Sequence, residues 1–474
     1  MRAAIEPGDD RRLDVGEDDG GALKPVSSHP DVIVIGGGFA GLSAAVALAG
    51  RGARVLLLEA RPVLGGRAFS FTDPRTGELV DNGQHLLVGC YRETFTFLRT
   101  IGADHHVRLQ SELEVHFIDE EGRRSALRCP PLPSPLHLLG AILEWDALGV
   151  SDRLSVLGMV GPLRLARRLA RGSDGRIAVP GETVESWLVR NGQSRRLRAM
   201  LWEMLALAAL NQSPRVAAAP PFARVLGEMF GPDRHDAAIG LPVVPLTEMY
   251  VEPARRFIEA CGGEVRAGAP AVVRVEGGRL AAVEARGESL RASAVVAAVP
   301  WFALPTLLAG ETAALSAITD RASRTSPSPI VTVNLWLDRP VLEQPFIGLP
   351  GRPLQWVFDK RQAFGAAASH LSLVSSGAAP LVDLPNDALT HLAFDELCQA
   401  IPEARDSRLL RATIVREKRA TFSLAPGQPP RPGTTTAVRG LHIAGDWIDT
   451  GLPATIESAV TSGHRAAAAC AGPA

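Results

Sequence analysis

Hydrophobic residues first gather at 31–35, where DVIVI reads as a short buried strand. A glycine cluster follows, then an Ala/Leu-rich stretch of helical character, then a second apolar run, RVLLL, at 54–58. Strand, turn, helix and strand in that order make half of a doubly wound parallel sheet. Residues 1–29 are rich in Asp, Arg and Gly, which predicts a disordered tail.

Further along, a Pro-rich opening (PPLPSPLHLLGAILEW) leads into a helical stretch ending near residue 172, and 183–230 also read as helices. The longest apolar stretch, 199–210, is interrupted by Glu203 and predicts a buried helix. Strand patterns return at 264–299, as a β-meander (VRAGAPAVVRVEGGRLAAVEARG) and a separate apolar strand (SAVVAAVP). Residues 330–337 and 371–375 predict a second sheet. The chain closes with a strand and turn, LHIAGDW, and a helix from about 454 to 469. The fold class expected is α/β: a discontinuous Rossmann-type domain (30–110, 240–300 and 425–474) interrupted by an α+β substrate domain (111–239 and 301–424).

Composition narrows the function classes. The chain has 474 residues, 46% of them apolar, and a net charge of −1. Near-zero charge offers no general attraction to nucleic acid, so no nucleic-acid partner is expected. Lysine occurs only at Lys24, Lys360 and Lys418, so arginine carries nearly all positive charge. Five scattered cysteines without CxxC spacing argue against a disulfide framework or a zinc site and suggest a reducing, cytoplasmic setting; no metal is expected. The acidic N-terminus (Asp9, Asp10, Glu17, Asp18, Asp19) is unlike a signal peptide, and no run of 18 apolar residues predicts a membrane span.

The chemistry begins at GGGFAG. Gly36, Gly38 and Gly41 form GxGxxG directly after a strand and at the start of a helix. The first glycine permits the tight turn, the second lets backbone approach a pyrophosphate, and the third allows close helix–strand packing. Phe39, Ala40 and Gly41 place helix N-terminal amides toward the phosphates. Glu59 ends the second strand, where a carboxylate accepts from ribose hydroxyls and repels a 2′-phosphate. Downstream, Arg67 of the GGR segment (Gly65, Gly66, Arg67) can fork onto a phosphate.

GxGxxG, the strand end Glu59-Ala60-Arg61 and GGR at this spacing resemble the flavin amine oxidase and phytoene desaturase superfamily. That resemblance implies FAD, with the GGR segment on its pyrophosphate. In AGDW, it puts Gly445 and Asp446 by the ribityl chain and the amides of Ala454, Thr455 and Ile456 at the flavin ring. It places Gln84 beside the ring and the backbone of Val272 at adenine. Three segments, VDNGQHLLVGCYRET, VREKRATF and AGDWIDTGLPATIESAV, together with PLPSPLHLL, resemble hydroxysqualene dehydroxylases, bacterial squalene-associated proteins of this superfamily. Ile448 departs from the Thr expected there, a change of packing more than of chemistry.

The implied reaction replaces the hydroxyl of hydroxysqualene by hydride from reduced flavin, so a proton donor must assist loss of the hydroxyl. His85, in the DNGQH loop, is the first candidate and a neutral structural imidazole the alternative. Asp449 is the second; it can equally cap a turn. Glu417 and Lys418 read as a structural ion pair, and Tyr91 as core. A C30 isoprenoid substrate needs an apolar tunnel, which the helices at 183–230 can line. The Leu-rich stretch 132–148 with Arg164, Arg167, Arg168 and Arg171 suggests peripheral docking on the inner face of the cell membrane. No second nucleotide motif appears, so the electron donor is external and unidentified. Competing readings are a carotenoid-type desaturase or isomerase, an amine oxidase (disfavoured, since Tyr91 and Tyr250 are the only tyrosines), and a flavin-free lipid-escort protein.

Overall fold

The computed structural model describes residues 29–74, 77–172, 176–365 and 369–471. The expected N-terminal tail lies, but for His29, outside the described residues. A parallel sheet carries the glycine turn. Its strands are β1 (Val32–Ile35), β2 (Val55–Leu58), β3 (Glu264–Arg266), β4 (Ala294–Ala297) and β5 (Leu441–Ile443). They lie in the order β3-β2-β1-β4-β5, all parallel. The order reverses between β1 and β4, and sheets of this kind bind ligands in that crevice.

β1, β2 and β4 are buried along their whole length because both faces are covered. Val32, Val34, Val55 and Leu57 face helices α1 (Phe39–Ala49) and α2 (Ile456–Cys470). Ile33, Ile35, Leu56 and Leu58 face the antiparallel meander through Val273, Val275 and Val283. A Cβ at Gly463 would stand 2.3 Å from the Ala40 carbonyl, so α2 nests against α1 only with glycine there.

Glu264–Arg266, expected within the meander, is instead the edge strand of the parallel sheet. The chain turns at Gly268, at φ +64°, and its amide binds the Arg61 carbonyl at 2.7 Å; the meander proper starts at Ala271. A seven-stranded sheet forms the other layer. Its strand Pro327–Leu337, second from one edge, pairs antiparallel with Ser369–Ser376 and with the edge strand Leu409–Phe422. Val331, Val333, Leu335 and Leu337 pack toward the helix Asn386–Ala400, with Leu389, Ala393 and Leu397 in one cluster. Alternation turns Thr332, Asn334 and Trp336 the other way. Neighbouring strand residues project to opposite faces, so Glu417 and Lys418 do not pair; Lys418 binds Asp383 at 2.8 Å instead.

The apolar stretch at 199–210 is helical but not uniformly so: Arg198–Trp202 is a π turn and Glu203–Leu210 an α-helix. Asn211, left-handed at φ 51°, stops it. Its amide nitrogen donates to the Ser328 carbonyl at 3.0 Å and the Thr421 hydroxyl at 3.1 Å, and its oxygen accepts from the Gly377 amide at 2.7 Å. One side chain thus pins the helical layer to three strand segments.

A buried ion pair ties the DNGQH segment to the large sheet. Lys360 Nζ lies 2.8 Å from Asp81 Oδ2, both almost fully buried. Burial alone would raise the Asp81 carboxyl; Lys360, the Leu246 amide and the Ser70 hydroxyl outweigh it and hold the group below its ordinary range. Removing one partner strands the other charge, so Lys360→Met is expected to cost about 3–5 kcal/mol. Asp81→Asn/Lys360→Met should recover part of that. Chemical denaturation of both variants checks this; a double variant as unstable as the sum of the singles would contradict it.

Candidate cofactor and active site

The glycine turn is shaped by backbone contacts. Gly36, at φ +110°, ends β1, and a Cβ there would stand 2.4 Å from the Ala298 carbonyl. A Cβ at Gly41 would lie 1.8 Å from the Gly36 carbonyl, so α1 can follow the turn only with glycine there. Gly38 is different. It is extended (φ −87°), and a Cβ would meet nothing nearer than the Gly66 Cα at 3.5 Å. The protein itself does not require glycine at 38; something approaching the open side would.

The segments around this turn fit a nucleotide diphosphate. No side chain caps α1 at Gly38 and no acid lies in its first turn, so its N-terminus is free for an anion. The Phe39 ring stacks on Tyr250 at 3.7 Å, so only its backbone can serve a ligand; Ala40 is buried as well. Glu59 accepts from the amides of Gly37 at 2.7 Å and Arg61 at 2.9 Å, which fixes its carboxylate at the end of β2. Ala60 is exposed beside it. Arg61 folds back onto the Gly66 carbonyl and over the Phe69 ring, 4.9 Å from its centroid. The Ala269 amide donates to the Glu59 carbonyl at 2.8 Å, which leads the chain toward Val272, half-buried in the meander. Gly65 (φ +107°) and Gly66 (φ +60°) shape the GGR pass, and Tyr250 binds the carbonyls of Gly65 and Ala68 from below.

Arg67 is the junction. Its guanidinium lies 2.5 Å from Asp446 Oδ1 and 2.6 Å from the Ala420 carbonyl, and 5.9 Å from the Trp301 centroid. GGR, the end of VREKRATF and AGDW therefore meet at one cation. Asp446 is buried; the Gly445 amide donates to Ser462 of α2 at 2.8 Å, and Trp447 Nε1 to the Val299 carbonyl at 2.9 Å. Thr455 caps α2 by accepting from the Ser458 amide at 3.1 Å, with Ala454 half-buried just before it and Ile456 opening the helix. Ile448 is fully buried in the core.

The DNGQH loop runs between Arg67 and the large sheet: Asn82 Nδ2 donates to the Arg67 carbonyl at 2.9 Å. His85 is half-buried, and its Nδ1–H donates to the Gly83 carbonyl at 3.2 Å. Burial pushes its pKa below the ordinary imidazole value, Asp81 and the Gly83 carbonyl oppose this, and Lys360 and Arg67 add to it. At neutral pH the ring is uncharged, with Nε2 bare. Gln84 Oε1 is buried without a partner among the described residues, as expected where a ligand completes a site. Asp449 stands away: its carboxylate is 62% exposed, 3.4 Å from Arg431 Nη2, and it accepts from the Gly451 amide at 3.1 Å.

Sequence reasoning missed Arg431. It lies in the Pro-rich run before β5, lends protons to the carbonyls of Ile448 and Leu452, and holds the post-AGDW turn. No local pattern distinguishes it from surface arginines. It also missed the pairing of Lys360 with Asp81, although a lysine-poor chain with one lysine after an apolar strand was a usable sign.

This crevice has an uncapped helix end, a fixed carboxylate at the end of β2 and a half-buried arginine junction, and the family model for flavin containing amine oxidoreductases matches residues 39–471: the chain belongs to that family of flavoproteins. It is a flavin-dependent oxidoreductase. Among curated relatives it is 32% identical to a hydroxysqualene dehydroxylase of Rhodopseudomonas palustris, over 92% of this chain and 97% of that one. It is 29% identical to that of Sinorhizobium fredii, with the same coverages. A 15-cis-phytoene desaturase of an Oncidium hybrid is 24% identical, over 93% of this chain and 77% of its own. The fold is shared with an oxidoreductase from Methanosarcina mazei (TM-score 0.72, 18% identity, 92% of this chain and 99% of that one). Cyclohexylamine oxidase from Brevibacterium oxydans shares it too (TM-score 0.66, 18% identity, 94% and 99%).

The two inner glycines make opposite predictions. Gly38→Ala should fold within about 1 kcal/mol of wild type yet lose flavin affinity by about tenfold or more. Gly41→Ala should lose stability itself, by about 1–3 kcal/mol. Flavin absorbance per protein and thermal unfolding, read together, check both; a fully yellow Gly38→Ala protein would contradict the assignment.

Proposed function

We propose that this chain is an FAD-dependent hydroxysqualene dehydroxylase, converting a C30 allylic alcohol to squalene. The observation that carries the reading is the meeting of GGR, VREKRATF and AGDW at Arg67: two of these three segments are among those that resemble the dehydroxylases, and the curated relatives of that name match nearly the whole chain. Residues 30–110, 240–300 and 425–474 hold the cofactor; 111–239 and 301–424 enclose the substrate.

Bound FAD, when reduced, supplies a hydride equivalent. The protein's task is to hold the allylic carbon in place, exclude water and deliver a proton to the departing oxygen. The balance is R–OH plus a proton plus hydride giving R–H and water, with a two-electron donor, either free reduced nicotinamide or a partner protein, restoring the cofactor. His85 is the proposed proton donor. Burial holds its pKa below the ordinary imidazole value, and a negative group brought beside it raises that pKa, so charging of His85 follows occupancy. Asp449, exposed and engaged with Arg431, is the weaker candidate. An amine-oxidase reading finds no support in the tyrosines: Tyr250 is buried under Gly65, and Tyr91 packs against Thr455.

The substrate is a membrane lipid, and one surface suits a bilayer. Val150, Leu154, Leu157, Gly161, Arg164, Arg168 and Arg171 are all exposed along consecutive helical segments. Their spacing alternates four and three, so they form one stripe, apolar at one end and basic at the other. Residues 150–171 hold five arginines against one aspartate. Among the described residues no helix is long and apolar enough to cross a membrane.

Two measurements test these readings. Anaerobic mixing of the photoreduced protein with hydroxysqualene should reoxidise the flavin and yield squalene; His85→Ala should slow this at least about 100-fold, and unchanged rates would remove His85 as donor. The protein should float with phosphatidylglycerol-containing vesicles at low salt, and Val150→Glu/Leu154→Glu/Leu157→Glu should not; no flotation of wild type would refute the docking stripe.

A further inference from the structure

Hydroxysqualene is hydrocarbon except for one hydroxyl, so a site for it needs one place where polar atoms wait unpaired. Thr332 provides such an atom. It is 1% exposed, and its hydroxyl has no hydrogen-bond partner among the described residues. Burying a hydroxyl unpaired is costly, which marks it as awaiting a ligand.

Its setting is specific. Across the large sheet Thr332 is flanked by Val374 on one strand and Val415 on the other, with Trp356 beyond Val374. The hydroxyl is thus the polar point in an apolar row. One step along the same face, Asn334 is already committed, accepting from His370 Nε2 at 3.0 Å and the Ser372 hydroxyl at 3.0 Å. The Thr332 hydroxyl instead faces the DNGQH loop: a Cβ at Gly83 would come within 3.6 Å of it. The next residue, Gln84, also carries a buried oxygen without a partner among the described residues. Thr332 can donate; Gln84 Oε1 can only accept. An alcohol does both.

We propose that Thr332 and Gln84 form the hydroxyl-recognition pair of the substrate site, Thr332 donating to the alcohol oxygen and Gln84 Oε1 accepting its proton in a hydrogen bond. The proposal rests on the hydroxy-isoprenoid reading above. It makes the site selective for the alcohol over the hydrocarbon, because squalene leaves both oxygens buried and unpaired. The same asymmetry favours product release.

The test uses the flavin-loaded protein and two ligands, hydroxysqualene and squalene, with binding read from the flavin absorbance change. Wild type should bind the alcohol about tenfold or more tighter than the hydrocarbon. The isosteric Thr332→Val should weaken alcohol binding about tenfold, leave squalene binding equal or tighter, and keep its flavin; Thr332→Ser should restore the preference. A Thr332→Val protein with the wild-type alcohol-to-hydrocarbon ratio overturns the pair alone. A wild-type protein that neither binds nor turns over hydroxysqualene overturns the substrate reading and this proposal with it.

Discussion

The Arg67 guanidinium holds together parts of the chain that nothing local would join. It reaches Asp446, near the C-terminus, and the carbonyl of Ala420, at the end of the longest strand of the large sheet. A planar fork with fixed charge can satisfy a carboxylate and a carbonyl at once, which a lysine cannot do with the same geometry. The pair is partly buried, so screening by salt is reduced and the contact is directional. Around it the glycine turn, the GGR pass and the post-AGDW helix converge on one crevice at the point where strand order reverses.

The same economy governs the DNGQH loop. It is fixed on one side by Asn82 to the Arg67 carbonyl and on the other by Asp81 to Lys360. The loop is therefore set by both layers, and at the seam between them the Thr332 hydroxyl lies against it at Gly83, next to Gln84 in the chain. A site built at such a seam reports any shift of one layer against the other.

Much of this was legible in the sequence because it is local. The glycine turn announces itself through backbone needs at Gly36 and Gly41 that only glycine meets, and Glu59 through its place at the end of the second apolar run. Strand runs such as 330–337 were readable because β-branched residues alternate with polar ones. What was illegible is long-range. Glu264–Arg266 has the composition of a meander strand, and only pairing with Leu56–Leu58 assigns it to the parallel sheet. Lys418 sits beside Glu417 in the chain but takes Asp383, since strand geometry separates neighbours. The stop at Asn211 is held by Ser328 and Thr421, which no window around residue 200 contains.

The parallel sheet draws its first two strands from residues 32–58 and its last from 441–443, with α2 after it. During synthesis, then, the glycine turn emerges well before the aspartate that Arg67 binds, which lies 379 residues further along the chain. A half-made polypeptide possesses the glycine turn but no closed crevice, so closure waits on the strand and helix that flank Asp446 and pack against α1.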